Sequence, residues 1–196
     1  MRCLLLSLLL AITPLMPTFS QPSDFVEDFT LPNVTTGRDF SLKEYASVPT
    51  VVVIFTSLHC PYVQLYTNRI TDLISEFEGK NVRFVLVNPA NPTKHPEDAS
   101  DKLAEALKKY QWKVPFLTDS DQRVARLLGA EKIPEVFVLS RQRNSFKKVY
   151  RGAIDDNPQV ASDVHHHYLR DFLKAQRSDQ SASLRTTPAT GCRIKP

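Results

Sequence analysis

Apolar positions change their period several times along the chain, and each change predicts an element. Val51 to Thr56 is an unbroken, mostly β-branched run with no polar alternation, which predicts a central strand buried on both faces. From Pro61 onward Val63, Tyr66, Ile70, Leu73, Ile74 and Phe77 recur at three and four residues, the stripe of an amphipathic helix. Pro61 suits its first turn, where a missing N–H costs nothing. A second strand, Val82 to Val87, follows Gly79, and a proline-bounded loop spans 89–96. Asp98 to Tyr110 reads as a charged, mostly solvent-facing helix. Val114 to Leu117 reads as a short edge strand, because Pro115 is tolerated only at an edge or a strand start. Asp119 to Leu128 is a short helix closed by Gly129.

Ile133 to Leu139 and Phe146 to Arg151 flank a polar turn and form a hairpin, and Val160 to Gln176 makes a last helix with Val164, Tyr168, Leu169 and Phe172 inward. Ahead of the central strand, Asp24 to Pro32 and Asp39 to Leu42 read as two short strands around a turn. Strand, helix, strand, helix, hairpin, helix is an α/β order that predicts a mixed central sheet flanked by helices on both faces.

Chain organisation follows from composition. Met1-Arg2, an apolar run, and small residues at Thr18 and Ser20 have the pattern of a secretory leader cut after Ser20, and the run is too short to span a bilayer comfortably. The expected organisation is a leader over 1–20, one domain over 21–176, and an irregular tail over 177–196 carrying Cys192, where Ser, Thr, Gln and Pro displace apolar residues. The implied location is periplasmic or extracytoplasmic, with no stable membrane insertion once the leader is removed.

With 42% hydrophobic and 23% charged residues, 196 residues bury one substantial core. A formal net charge of +4 is too weak to argue nucleic-acid binding. The basic stretch Arg141 to Lys148 has no aromatic platform, and five glycines form no phosphate loop.

Of three cysteines, Cys3 leaves with the leader, so Cys60 and Cys192 remain, enough for one bridge or one active site. Cys60 lies where the buried strand passes into the helix beginning at Pro61, and a helix N-terminus favours thiolate over thiol. It is the candidate nucleophile, against the alternative of an inert buried cysteine. Ser57, three residues earlier, is placed to hydrogen-bond the thiolate or a peroxide oxygen, or simply to bond water. His59 is at most a modulator of the thiol's charge. Ile133-Pro134 is either a cis-proline facing the cysteine or a strand-entry proline. His165 to His167 cannot all bind one ion from a helix, and a solvated face explains them better. A copper reading from Cys60, Cys192 and a histidine lacks a recognisable ligand spacing, so no metal and no cofactor is expected.

The block Phe55-Thr56-Ser57-Leu58-His59-Cys60-Pro61-Tyr62-Val63 resembles a peroxiredoxin-like branch of the redoxin (alkyl hydroperoxide reductase and thiol-specific antioxidant) superfamily, which reads Phe-Thr-Cys-Asn-His-Cys-Pro-Tyr-Val. The resemblance extends through Ile133-Pro134, Tyr150 to Asn157 and His167 to Asp171, and ends at Gly191 to Lys195. It implies a thioredoxin-like fold and a thiol oxidoreductase, with Cys60 as nucleophile toward a peroxide or disulfide. Ser57 would hydrogen-bond the thiolate or peroxide, and His59, Pro61, Ile133 and Pro134 would face the substrate. Cys192 matches the family's carboxy-terminal cysteine, either a resolving thiol or an unpaired or interchain one. The implied partners are a small peroxide or disulfide and a thiol reductant.

Three departures stand out. Ser57 replaces the first motif cysteine, Val53 stands where a proline is expected, and Ile133 where an arginine is expected near the cis-proline. They leave room for a rival reading, a binding module of the same fold without redox turnover.

Overall fold

A computed structural model describes residues 24–79, 81–176 and 184–195; the expected leader at 1–20 lies outside them. In chain order the elements are β1 (Phe25–Val26), β2 (Thr30–Asn33), β3 (Arg38–Ser41), β4 (Thr50–Phe55), α1 (Pro61–Phe77), β5 (Val82–Asn88), α2 (Ser100–Tyr110), β6 (Phe116–Thr118) and α3 (Arg123–Leu128). They continue with β7 (Lys132–Ile133), β8 (Glu135–Gln142), β9 (Ser145–Gly152), α4 (Tyr168–Ala175), β10 (Arg185–Thr186) and β11 (Cys192–Arg193).

The main sheet runs β1-β9-β8-β4-β5-β6-β2-β3, with β10 added to β9 in parallel. The β4/β5 and β5/β6 pairs are parallel, and β8 is antiparallel to β4 and β9. This is the expected mixed sheet.

Strand β4 shows why its run has no alternation. Val52 and Ile54 pack under α1, α2 and α4 on one face, while Val51, Val53 and Phe55 pack with α3 and the amino-terminal strands on the other. Both faces being buried, every position is apolar. Val53 therefore sits in a fully paired central strand, where a proline would remove a ladder hydrogen bond.

Strand β6 is not an edge. The β2–β3 hairpin pairs alongside it, a covering that local sequence does not reveal, and Pro115 lies just outside the strand. Helix α3 starts at Arg123 rather than Asp119, because the buried Asp119 carboxylate accepts the Val124 and Ala125 N–H groups and caps the first turn from outside. Burial raises the pKa of that carboxyl.

Helix α4 is half the expected length. Asn157 Oδ1 accepts the N–H groups of Gln159 and Val160, and Asp156 Oδ1 accepts that of His165, so local side-chain bonds displace the helix before residue 168. His165 and His166 are exposed but precede the helix, and His167 is its N-cap, so the expected solvated helix face is a solvated loop. The tail is ordered over 184–195 as β10 and β11, held by backbone pairing that its Ser/Thr-rich composition does not announce. Among the described residues no helix is long and apolar enough to cross a membrane.

Candidate active site

Cys60 is the N-cap of α1, reached by an abrupt turn from β4, and it is fully buried. Its carbonyl accepts the Val63 N–H at 3.0 Å, and Pro61 has no N–H, so the helix begins directly at the cysteine. A disulfide joins Cys60 to Cys192, with 6.1 Å between the Cα atoms and 132 residues of separation. The thiol expected at Cys60 is thus stored in a bridge to the tail.

Backbone pairing puts the tail there. Strand β11 lies antiparallel to β7 with Cys192 opposite Ile133, and the Ile194 N–H donates to the Glu131 carbonyl at 3.0 Å. Gly191 is required at the approach, because a Cβ there would lie 2.1 Å from the Ile133 carbonyl oxygen. Further back, Thr187 anchors the tail: its Oγ1 bonds the Tyr150 hydroxyl at 2.7 Å and accepts the Ala153 N–H at 3.0 Å.

The Ile133-Pro134 peptide bond is cis, and this loop faces the cysteine. Its backbone is tied down by Glu135, whose carboxylate accepts the N–H groups of Glu131 and Lys132 and takes Arg151 Nε at 2.7 Å. The Ile133 carbonyl oxygen lies 3.2 Å from Cys60 Sγ. A disulfide sulfur has no proton to donate, so this is a close contact that becomes a hydrogen bond only in the thiol state.

His59, Pro61, Ile133 and Cys192 open together onto one cleft of about 670 Å³. Lys94, Arg126, Arg193 and Lys195 against Asp121 make it cationic. Pro134 is not part of its lining, and neither is Ser57. Ser57 is buried, its hydroxyl has no hydrogen-bond partner, and it borders a different cleft with Val63, Tyr110 and Trp112. The expected hydrogen bond from Ser57 to the sulfur is not made in this disulfide-closed form.

Asp98 carries no sequence signal, lying 38 residues beyond Cys60 in a short turn of helix, yet it organises this site. Its buried carboxylate accepts the Leu58 N–H at 2.6 Å and Asn88 Nδ2 at 2.9 Å through Oδ1, and Oδ2 bonds His59 Nδ1. The His59 ring stacks on His95, centroids 3.8 Å apart and planes at 7°. One ligand atom each from His59, His95 and Glu97 lies within 4.8 Å of the others. The rings are parallel, so their in-plane lone pairs run side by side instead of converging, and the three do not form a chelate as placed.

A buried central strand, a cysteine at the head of the helix that follows it, and a cis-proline loop across from that cysteine define the thioredoxin-like class of thiol proteins. The AhpC/TSA family matches residues 22–145, well over half of the chain, and the protein belongs to that family of thiol oxidoreductases. Among solved structures it is similar to a hypothetical protein from Sinorhizobium meliloti 1021, at 29% identity and TM-score 0.77, over 89% of this chain and 94% of that one. An uncharacterized conserved protein from Geobacillus kaustophilus is 27% identical with a TM-score of 0.79, over 91% and 93% of the two chains. A thiol-disulfide oxidoreductase from Bacteroides fragilis shares the fold at 16% identity and TM-score 0.58, over 78% and 98%. Among curated proteins none matches.

Proposed function

We propose that the protein is an exported thiol–disulfide oxidoreductase that cycles between a Cys60–Cys192 disulfide and a dithiol. The observation that carries this reading is the bridge itself, joining a helix-N-terminal cysteine to a tail cysteine at the wall of a cationic cleft. In the dithiol form the Cys60 thiolate attacks one sulfur of a substrate disulfide and expels the other as a thiolate. Cys192 then attacks Cys60 in the mixed disulfide, which releases the second substrate thiol and restores the bridge. Ile133, next to the cis-proline, lines the cleft that the substrate would enter. A reductant thiol regenerates the dithiol.

A peroxide is the second substrate class: Cys60 takes one oxygen to become a sulfenic acid, an alcohol or water leaves, and Cys192 condenses with the sulfenic acid with loss of water. Two features place disulfides ahead of peroxides. Ile133 stands where the peroxide-activating arginine is expected, and the Ser57 hydroxyl is buried without a hydrogen-bond partner, on a residue that borders another cleft. An oxidising compartment outside the inner membrane suits a stored disulfide, in keeping with the leader pattern over 1–20.

The test is stopped-flow oxidation of the dithiol protein by oxidised glutathione and by hydrogen peroxide. Expected is fast closure by the disulfide and slower closure by peroxide, both abolished in Cys60→Ser. Closure in neither case would leave the redox-inert binding module as the correct reading.

A further inference from the structure

We propose that His59 is the base that deprotonates an incoming thiol as that thiol opens the Cys60–Cys192 bridge, with Asp98 as its positioning residue. This rests on the thiol-exchange reading above and assigns two residues within it. The Asp98 side chain is wholly inaccessible, and a carboxylate that deep is stable only when its oxygens are bonded. Two of its bonds, to the Leu58 N–H and Asn88, hold the Cys60 loop against the end of β5. The third goes to an imidazole.

An ionised carboxylate only accepts, so His59 Nδ1 carries the hydrogen, and in the neutral ring the lone pair is on Nε2. The ring is held by the parallel His95 ring and keeps about a fifth of its surface exposed, opening onto the cleft that Cys192 lines. Asp98 and His95 face the imidazole directly, with Glu97 behind His95 at 3.9 Å. Across the cleft the charges are Lys94, Asp121, Arg126, Arg193 and Lys195, a cationic surround that draws in a thiolate.

Burial decides which sulfur is attacked. Cys60 is inaccessible beneath Val63, Ile133 and the tail, whereas Cys192 is partly exposed. The thiol RSH gives its proton to His59 Nε2, and RS⁻ attacks Cys192 Sγ. The S–S bond breaks, and its electron pair leaves on Cys60 as a thiolate at the head of α1. The product is a mixed disulfide between R and Cys192. His59 gives the proton it took up through solvent to the Cys60 thiolate and is neutral again; a second RSH then repeats the step at the R sulfur and is oxidised with the first to RSSR, its proton passing by way of His59 to the departing Cys192 thiolate. Two thiols are oxidised, one disulfide is reduced to two thiols, and His59 returns neutral.

The experiment compares dithiothreitol with tris(carboxyethyl)phosphine on the oxidised full chain, reading free Cys60 and Cys192 by maleimide mass-tagging. A phosphine attacks a disulfide without losing a proton, so it needs no base. In His59→Asn and Asp98→Asn, opening by dithiothreitol at pH 7 is expected to fall about tenfold, because only a few per cent of an ordinary thiol is ionised there. Opening by the phosphine stays within twofold of the wild type. The variants' thiol rate should rise about tenfold per pH unit with the reagent's thiolate fraction, while the wild-type profile is flatter.

Equal losses with both reagents would show that the pair only shapes the cleft, and no loss with either would show that it does nothing; each overturns the proposal. A wild-type bridge that neither reagent opens would instead overturn the exchange reading itself. If Asp98→Asn does not fold, His59→Asn, at a side chain only partly buried, decides alone.

Discussion

Around Asp155 a buried carboxylate and the Arg69 guanidinium are paired, with only Arg69 Nε left without a partner, whereas around Ser57 a buried hydroxyl has no hydrogen bond at all. Both places belong to stretches that carry the family resemblance in the sequence. Asp155 accepts the Tyr66 hydroxyl at 2.9 Å and Arg69 Nη1 at 2.8 and 2.7 Å, tying α1 to the end of β9. Its neighbour Arg151 reaches Glu135 and Glu131 and so holds the cis-proline loop. In the 55–63 block, by contrast, a hydroxyl is buried without a partner, a histidine leans on a buried carboxylate, and a sulfur is bonded to a distant tail. The difference separates scaffold from chemistry: paired ions fix a shape, whereas the bridge sulfurs and the histidine beside them line a cleft and are the groups proposed to react.

The comparison breaks if Asp155 proves chemical. Asp155→Ala leaves the Arg69 guanidinium, only 15% exposed, without its counter-ion, and should cost about 3–5 kcal/mol. Thermal unfolding would then fall by roughly 10 °C, while opening of the bridge by thiols is unchanged in the folded protein. An unchanged midpoint with lost thiol exchange would move this region into the site.

Next in size is Cys192→Ser, which removes a cross-link across 132 residues and should cost about 2–4 kcal/mol in denaturant unfolding. Hydrogen exchange sharpens this result. The Ile194 amide, held by β11 pairing beside the bridge, should lose protection, while the Thr187 amide, bonded to the Arg151 carbonyl at 3.0 Å, keeps it. Loss at both would mean that the bridge, not the 150–157 block, anchors the whole tail.

Ser57→Ala deletes the unpartnered hydroxyl and is expected to stabilise the fold by roughly 1 kcal/mol, with the exchange rate kept. A clear loss of exchange would return Ser57 to the chemistry.

The smallest effect is alkaline. Burial pushes the Tyr150 phenol up to about 12, and its hydroxyl bonds Ala153 and Thr187. A raised folded pKa means that the stabilisation is complete below the unfolded value of about 10 and is lost as pH rises through the folded one. Unfolding midpoints should therefore fall between pH 10 and 12. Tyr150→Phe should show a shallower fall than the wild type; equal slopes would assign the effect to other tyrosines, such as Tyr45, also raised to about 12 by burial.

Several features were legible in the residues. The β-branched run of β4, the stripe of α1 and the hairpin β8–β9 are local patterns whose period follows from backbone geometry, so the α/β order and the place of Cys60 at a strand-to-helix junction needed no tertiary information. The boundaries that failed did so where a side chain reached outside its own element. Asp119 caps α3 from before its start, Asn157 and Asp156 hold 159–165 out of α4, and the β2–β3 hairpin covers β6.

The site divides the same way. Residue types and spacing marked Cys60 and Cys192, because a cysteine at a helix start and an even pair of thiols are visible along the chain, and gave His59 no more than a modulating part. Folding alone decided that Cys192 meets Cys60, that Gly191 lets it approach, that Asp98 sets the face of His59 that remains open, and that Ser57 turns to a different cleft. Those contacts join positions 39 to 132 residues apart through sheet register and burial, and neither quantity has a local signature in the sequence.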